Sequence, residues 1–231
     1  MLIGGIVIGA VGALLLLLGK KQKNVHSKMA QQKAVPVKEV VAGQQVEVEG
    51  TVVSDQPLKT PFSQQECVYY EYELEQLTQK RDKDGNMRQS WERVGSDKQS
   101  TAFRVQDSSG QVTVNPEGAD WDVQSLGEKY VQRGDIMQNS ILKSVINAVS
   151  NKQTRAKESA LLVNGPVYVY GQANEGKGGV AIEKGQGKFF ISHKSEEQVE
   201  KSMAHTAGFM KVLGYIGIIG GVAIIVYSFF G

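Results

Sequence analysis

Cysteine and histidine are scarce in this chain, which contains one cysteine, Cys67, and three histidines among 231 residues. A single cysteine excludes an internal disulfide and any zinc site built from several thiolates. The histidines, His26, His193 and His205, lie far apart, and none has a second ligand at metal-binding spacing. We therefore predict that the protein binds no metal and uses no cofactor.

The chain also has little net charge, because 26 Lys and Arg residues against 24 Asp and Glu residues give +2 at pH 7. No stretch interleaves basic and aromatic side chains in the way that nucleic-acid-binding surfaces do. The composition therefore argues against a nucleic-acid partner.

Two runs, residues 2–19 and 212–230, contain no charged residue. A helix needs about 20 apolar residues to cross a bilayer, and about 17 is the lower limit. A secretory signal peptide would carry basic residues before its apolar core, whereas here GKKQKNVH follows the first run. We therefore predict two retained transmembrane helices, with the lipid bilayer as a partner.

Lysines stand on the inner sides of both runs, in segment 20–38 and between 194 and 211, and neither terminal tail has Lys or Arg. The positive-inside rule then predicts that the central domain lies in the cytoplasm and that both termini lie outside. The same lysines could bind anionic lipid head groups, although an ordinary stop-transfer flank also accounts for them.

Each apolar run contains a pair of glycines four residues apart, Gly5 and Gly9 in the first and Gly217 and Gly221 in the second. Such pairs let helices approach closely, so they could pack the two spans together or form a homo-oligomer. Glycine is also common in membrane helices generally, and the spacing alone leaves both interpretations open.

Residues 36–195 have the pattern of a β-rich domain. We expect a basic linker (20–35) before this domain and a juxtamembrane helix (196–211) after it. Polar and apolar residues alternate in short runs that turn residues separate. VEVEGTVVSD and PVYVYGQAN each combine an alternating strand with a glycine and a turn, as in small barrels of the OB type. The predicted fold is mainly β (α+β), with OB-like barrel character and one or two helices. The predicted strands are 46–53, 67–77, 91–94, 103–107, 111–116, 166–171, 179–183 and 188–192.

The run CVYYEYELEQL (67–77) alternates most clearly. It predicts one inward face and one outward face. The inward residues would be Val68, Tyr70, Tyr72 and Leu74, and the outward residues Tyr69, Glu71, Glu73 and Glu75. The glutamates could supply an acid/base pair, but strand periodicity favours a solvated face. The Asp-Gly pair in KRDKDGNMR (80–88) predicts a hairpin turn after this strand.

Three shorter features complete the domain. Residues 138–152 carry an apolar stripe at helical spacing, which predicts an amphipathic helix that covers one end of a sheet or lies on the membrane surface. A short helix or turn is expected within 36–42. The glycine-rich segment 171–179 precedes a β-run, which favours a hairpin loop over a phosphate-binding loop.

The order of these elements resembles the GIDE family, whose domain is also called BAM ("beside a membrane"). The resemblance covers nearly the whole chain and lies in a glycine, a Leu-x-x-Pro, a Cys-Val-x-Tyr, an Asp-x-x-Gly-x-Val and a Phe-x-Ile-Ser. The matching residues are Gly50, Leu58, Pro61, Cys67, Val68, Tyr70, Asp107, Gly110, Val112, Phe189, Ile191 and Ser192. These family-motif residues are expected to be structural.

The resemblance implies a bacterial or archaeal membrane protein related to the membrane-anchored part of the mitochondrial-anchored ubiquitin/SUMO protein ligase. That ligase carries a zinc-binding RING domain after its second span. Because the present chain ends at Gly231 and has one cysteine, we expect it to lack the RING. The ligase's domain faces the intermembrane space, which corresponds to the outside of a bacterium and conflicts with the lysine count. We follow the lysine count.

The expected function is that of an adaptor, which binds a protein partner or senses stress beside the membrane without chemistry of its own. A first alternative is a role in protein modification or envelope organisation, as in the ligase-containing family, with activity that depends on a partner. A second alternative is an enzyme that uses Cys67 as its nucleophile. That thiol would need a base, and His193 is the one histidine inside the domain.

Overall fold

The structure is a computed structural model. It describes residues 34–81, 83, 85–132, 134, 152–176 and 178–199, together with helical positions toward both termini. Those positions are 3–4, 6–8, 10–14, 16–18, 201, 206, 213, 216, 218–220, 224 and 226–227. The chain divides into two units, Ala34–Ser195 and the terminal residues Met1–Lys33 with Glu196–Gly231.

The described part of unit Ala34–Ser195 contains a short 3₁₀-helix, Val37–Glu39, and twelve strands. The first six strands are β1 (Gln45–Val53), β2 (Leu58–Lys59), β3 (Glu66–Arg81), β4 (Met87–Ser100), β5 (Phe103–Gln106) and β6 (Gln111–Val114). The other six are β7 (Asp120–Asp122), β8 (Gln124–Val131), β9 (Thr154–Leu162), β10 (Pro166–Gly176), β11 (Gly179–Glu183) and β12 (Phe190–Ser192). The mainly β prediction is therefore confirmed.

Five strands close into a barrel. β1 pairs with β5, β5 with β6, β6 with β11, β11 with β10, and β10 pairs back with β1. All these pairs are antiparallel except β6 with β11, which run parallel. A closed five-stranded barrel with one parallel pair has the arrangement expected of OB-type barrels. β12 and β7 extend this sheet beyond β10.

A second sheet is built from β2, β3, β4, β8 and β9, which come from two insertions into the barrel. The first insertion, β2 to β4, lies between barrel strands β1 and β5, and the second, β7 to β9, lies between β6 and β10. β3 is the central strand, since it pairs with β2 and β4 along one edge and with β9 along the other, and β8 pairs with β9. The sequence patterns did not predict β2, β7, β8 or β9.

The two sheets have separate cores, and β3 contributes to both. Val68 and Tyr69 belong to the barrel core, whereas Cys67, Tyr70, Tyr72 and Leu74 belong to the core of the second sheet. The pairing of β3 with β9 shifts register between Cys67 and Tyr69. Such a bulge locally disrupts the alternation of side chains between faces. The predictions that Val68 shares a face with Tyr70 and that Tyr69 points outward are therefore wrong.

Two predicted hairpins are confirmed. β3 and β4 pair up to Arg81 opposite Met87, and Gly85 adopts φ +84° in the turn. The glycine-rich segment also forms a hairpin, but a tighter one than predicted, because β10 and β11 pair up to Gly176 opposite Gly179. Strand pairing thus accounts for most of that segment.

In the terminal unit, every described residue between 3 and 18 is helical, and so are those at 196–199, 201, 206 and 213–227. Among these described positions, no helix is both long and apolar enough to cross a membrane. The two spans therefore stay predictions. The helix predicted at 138–152 falls almost entirely outside the described residues, and the paired glycines Gly5, Gly9, Gly217 and Gly221 all fall outside them.

Candidate functional site

Gly50 lies where strand β1 passes close to strand β5. A Cβ atom built on Gly50 would lie 2.3 Å from the backbone oxygen of Gln106 and 2.9 Å from a methyl group of Val105. Any side chain there would force the two barrel strands apart. This motif glycine therefore has a packing role in closing the barrel.

Asp107 and Gly110 form the turn between β5 and β6. One carboxylate oxygen of Asp107 accepts hydrogen bonds from the N–H groups of Ser109 and Gly110, at 2.7 and 3.0 Å. The other accepts the N–H of Val37 at 2.9 Å. Burial acts to raise the pKa of Asp107, but the bonds from Ser109, Val37 and Gly110 outweigh it and lower the pKa to about 2. The carboxylate thus fastens the 3₁₀-helix, whose Val37 belongs to the barrel core, to the β5–β6 hairpin.

Leu58 belongs to β2 and Pro61 to the loop between β2 and β3, and a buried glutamate holds this loop. The Glu158 carboxylate on β9 accepts the N–H groups of Phe62 at 2.9 Å and Ser63 at 3.0 Å, and it also binds the Ser63 hydroxyl. Leu58 pairs with Cys67 across β2 and β3. Because these donors satisfy the carboxylate oxygens of Glu158, we assign this residue a structural role in holding the loop.

Cys67 is fully buried, and its thiol contacts the carbonyl oxygen of Leu58 at 3.7 Å. Burial, and secondarily the charge of Glu158, raises the pKa of Cys67 to about 12. The ring nitrogen Nδ1 of His193 lies 3.0 Å from the carbonyl oxygen of Asp122. Among the described residues, no hydrogen bond connects His193 to Cys67. A buried thiol that keeps its proton is a poor nucleophile.

The remaining Cys-Val-x-Tyr residues are also packed inside. Val68 is fully buried in the barrel core. Tyr70 is 1% exposed and donates its hydroxyl hydrogen to Oε1 of Gln99 at 2.8 Å. The structure thus places all three residues of this motif in or between the two cores, where they join the sheets.

The polar face of the second sheet is the surface opposite to its core. Strand register arranges this face as three rows that run across β4, β3, β9 and β8. The rows are Lys98, Glu71, Ser159, Ser125; then Ser96, Glu73, Lys157, Glu128; then Arg93, Glu75, Arg155, Tyr130. The glutamates of the QECVYYEYELEQ segment therefore share one face, as the alternation predicts.

Basic residues of neighbouring strands pair with those glutamates. Arg93 donates to Glu73 at 2.7 Å, and Glu75 accepts from Arg155 at 2.7 Å and from Lys157 at 3.0 Å. Burial acts to raise the pKa of Glu75, but the hydrogen bonds from Lys157 and Arg155 outweigh it and lower the pKa. A general acid at neutral pH needs a raised pKa. Glu75 is therefore suited to an ion pair rather than to acid catalysis.

An aromatic pair stands at one end of the polar face. The guanidinium carbon of Arg155 lies 4.2 Å from the ring centre of Trp91, and the rings of Trp91 and Tyr130 are 6.2 Å apart. Arg155 also donates to Glu128 at 2.8 Å. Tyr130 is 62% exposed. Tryptophan, tyrosine and arginine are the residues that most often dominate protein–protein binding energies.

A family model matches residues 73–225, and its description is GIDE, an E3 ubiquitin ligase. The chain belongs to the GIDE family. The curated proteins contain no significant match to the chain, and neither do the solved structures.

The GIDE match begins after the motif residues from Gly50 to Tyr70. It includes the remaining motif residues, which are Asp107, Gly110, Val112, Phe189, Ile191 and Ser192. It covers β4 to β12 completely, and therefore three of the four strands of the polar face. Of the polar face, only the first part of β3, residues 66–72, lies before it. The surface and the family assignment thus concern largely the same part of the chain.

The polar face of this GIDE protein contains an open cleft of about 640 Å³. All four strands line it, with Glu71 and Glu73 from β3, Lys98 from β4, Gly127 from β8 and Ser159 from β9. Within the part of the chain that the structure describes, no group of three His, Cys, Asp or Glu side chains is placed to hold a metal ion. The side chains that line the cleft are mostly charged or able to form hydrogen bonds.

Sequence reasoning missed Arg155 as a member of the GIDE polar face. The expected helix, 138–152, ends just before Arg155 and Lys157, and neither residue was predicted to lie on a strand, whereas the structure places both on β9. The segment TRAKESALL alternates polar and small residues only weakly with a period of two, because Glu158 stands at an inward position between Ala156 and Ala160. That alternation was the available signal for a strand.

Proposed function

We propose that this GIDE protein is a membrane-anchored adaptor whose central domain binds a protein partner through the polar face. The observation that carries the proposal is the combination, on one exposed sheet surface, of the Trp91–Arg155–Tyr130 cluster with a wide cleft. Exposed aromatic residues beside an oriented arginine favour recognition of another protein.

The state of the reactive groups supports binding rather than chemistry. The Cys67 thiol is buried with a raised pKa, and Glu73 and Glu75 are engaged in ion pairs. Nucleophilic catalysis would need an activated thiol with a base at hydrogen-bonding distance. Cys67 does not meet this requirement, and Glu73 and Glu75 are held by cations rather than placed beside a thiol.

Membrane anchoring is supported by large apolar side chains that are exposed on the terminal helices. Ile3 is 78% exposed, Leu17 66% and Ile219 68%. Large exposed apolar residues in a charge-free helical run are costly in water and favourable in hydrocarbon. We propose two transmembrane helices in a bacterial or archaeal cell membrane, with the domain in the cytoplasm and both termini outside.

Cysteine labelling tests this topology, but Cys67 cannot serve as the labelled residue because it is fully buried. A Cys67→Ser background with one new cysteine in the segment 20–34 avoids this problem. Membrane-impermeant maleimide should label the new cysteine only after the cells are permeabilised. Labelling of intact cells would reverse the proposed orientation.

Site-specific crosslinking tests the adaptor proposal. A photoreactive amino acid at Tyr130 in the full chain should capture a defined protein, whereas the same group at Val41, which is also exposed, should not. Trp91→Ala should weaken the capture, because it removes half of the aromatic pair. Equal capture at both positions, or none at Tyr130, would remove the support for a binding role of this face.

The family match favours a second candidate function, participation in protein modification through a partner that supplies the catalytic machinery. In that case the protein captured at Tyr130 would be a ligase, a carrier enzyme or a modified substrate. Incubation of the purified full chain with a ubiquitin-activating enzyme, a carrier and ubiquitin should give no conjugates until that captured protein is added.

A further inference from the structure

Within the part of the chain that the structure describes, strand β4 leaves one backbone edge of the second sheet open. Among the described residues it pairs only with β3, along its whole length from Met87 to Ser100. Its last five residues, Ser96 to Ser100, are all exposed. A free strand edge presents unpaired N–H and C=O groups, and the partner that satisfies all of them is another strand.

The direction of these backbone groups follows from one hydrogen bond. The N–H of Thr101 donates to the carbonyl of Val68, toward β3. In an antiparallel strand successive residues direct their N–H and C=O groups alternately to the two sides. The backbone groups of Gln99 therefore point toward β3, whereas those of Lys98 and Ser100 point toward the open edge. The N–H of Lys98 donates to Oδ1 of Asp97 at 2.8 Å, and an incoming strand would replace this local bond.

Two clefts border this same segment. The cleft of about 640 Å³ touches Ser96, Asp97 and Lys98, and another of about 870 Å³ touches Ser100, Thr101 and Ala102. Seven extended residues span about 20 Å. Because Ser96 to Ser100 are exposed and both clefts adjoin this segment, the described residues leave the edge accessible to a short strand.

Two adjacent side chains of opposite charge specify what would fit. Asp97 and Lys98 are exposed neighbours on β4, so they point to opposite faces of the sheet. Lys98 lies on the polar face, opposite Glu71 of β3. An antiparallel incoming strand with an acidic residue opposite Lys98 and a basic residue opposite Asp97 would match both charges.

A second copy of the chain fits this edge poorly. Antiparallel pairing of two identical strands about a two-fold axis centred on Asp97 or Lys98 places like charges opposite each other. Centred on Gln99, the pairing puts Lys98 opposite Ser100 and leaves both charges unmatched. Cross-strand like charges destabilise a sheet. The edge therefore favours a different polypeptide.

We propose that the edge formed by the end of β4 and the two residues after it, from Ser96 to Ala102, binds an extended segment of a partner protein. This segment adds to the second sheet as an antiparallel strand with the order acidic–basic at its centre. The proposal rests on the proposed adaptor function and deepens it by naming how the partner is held. Backbone pairing provides the affinity, and Asp97 and Lys98 set the register.

Two synthetic peptides test the charge order, Thr-Val-Thr-Glu-Lys-Thr-Val-Thr and the same peptide with Lys-Glu at its centre. They are titrated into the full chain in detergent, with binding followed by fluorescence anisotropy. The Glu-Lys peptide should bind at least about fivefold more tightly, and the double variant Asp97→Lys, Lys98→Asp should reverse the preference. Equal binding of the two peptides, or no binding up to millimolar concentration, overturns the proposal.

A proline at an outward position tests the backbone contact. Ser100→Pro removes an N–H that faces the open edge and leaves the pairing with β3 intact, because proline is tolerated on edge strands in this orientation. It should weaken peptide binding about tenfold, whereas Ser100→Thr should not, and circular dichroism checks that both variants fold. Unchanged peptide binding by Ser100→Pro refutes the edge. The adaptor function is tested separately, by crosslinking at Tyr130 in a chain with an unchanged β4 edge. It stands if a defined protein is captured there and fails if none is captured.

Discussion

The guanidinium of Arg155 lies 4.2 Å from the ring centre of Trp91 while its Nε donates to Glu75 at 2.7 Å. One side chain thus connects three strands, because Arg155 belongs to β9, Trp91 to β4 and Glu75 to β3. The side chain of Arg155 is only 18% exposed and that of Glu75 only 13%. Solvent screens this arrangement less than it screens a typical surface ion pair.

Replacement of Arg155 should therefore destabilise the second sheet more than a surface charge would. We expect Arg155→Ala to lower the free energy of unfolding by about 1–3 kcal/mol, because it leaves Glu75 without its closest cation and Trp91 without its cover. Urea unfolding of the full chain in detergent, followed by circular dichroism, measures this. Lys201→Ala, which breaks a well-exposed pair with Glu197, serves as the control and should change the free energy of unfolding clearly less than Arg155→Ala does.

A double-mutant cycle isolates the contact between Arg155 and Trp91. The coupling energy from Arg155→Ala, Trp91→Ala and the double variant should be about 0.5–1 kcal/mol. Strict additivity of the two single effects would mean that the ring merely lies beside the guanidinium.

Substitution of Gly50 should be among the most destabilising small changes in the barrel. Gly50→Ala places a methyl group against the Gln106 carbonyl, so β1 and β5 must separate, and we expect a loss of about 2–3 kcal/mol. Gly110 provides a matched control, since a Cβ atom there meets nothing within 4 Å. Thermal unfolding of Gly50→Ala and Gly110→Ala compares the two sites, and equal midpoints would show that the close approach is unimportant.

Asp107 should make stability depend on pH. Its pKa is about 2 in the folded protein against an ordinary value of 3.8, so its stabilising effect is present above pH 3.8 and disappears as the pH falls toward 2. Allowing for solvent screening at this surface turn, the effect should be about 1 kcal/mol. The difference in unfolding free energy between wild type and Asp107→Asn should shrink over this range. A constant difference from pH 6 to pH 2 would contradict the role of the carboxylate.

The Cys67 thiol should be unreactive in the folded protein. Because it is fully buried and its pKa is raised to about 12, a disulfide reagent such as DTNB should react at pH 8 only at the rate at which the domain opens. Urea should restore the reactivity of a free thiol. Rapid reaction of the native protein would reopen the enzyme hypothesis, which Cys67→Ser in a functional assay would then decide.

The sequence was sufficient for the strands that alternate strongly and for the turns with special residues. The Asp-Gly turn after β3 and the strands of the barrel are local features, and short-range preferences determine them. The glutamates of β3 could also be placed on one face from alternation alone. The expected OB-like barrel needed only the order of these strands.

Other features depend on contacts that the sequence does not announce. The bulge between Cys67 and Tyr69 moves Val68 into a different core, and only the pairing with β9 reveals it. The Trp91–Arg155–Tyr130 cluster combines residues that are 25 to 64 positions apart, on strands of two insertions. β8 and β9 were missed because their alternation is weak and because an apolar helical stripe precedes β9.

The interleaving of the two insertions has a consequence for how the chain folds. β3 and β4 come from one insertion and β8 and β9 from the other, so the second sheet cannot assemble until the barrel strands between them have brought the two segments together. Such late, long-range pairing slows folding. Neither insertion can be excised as an independent fragment, and a nick in the β5–β6 turn should unravel both sheets at once.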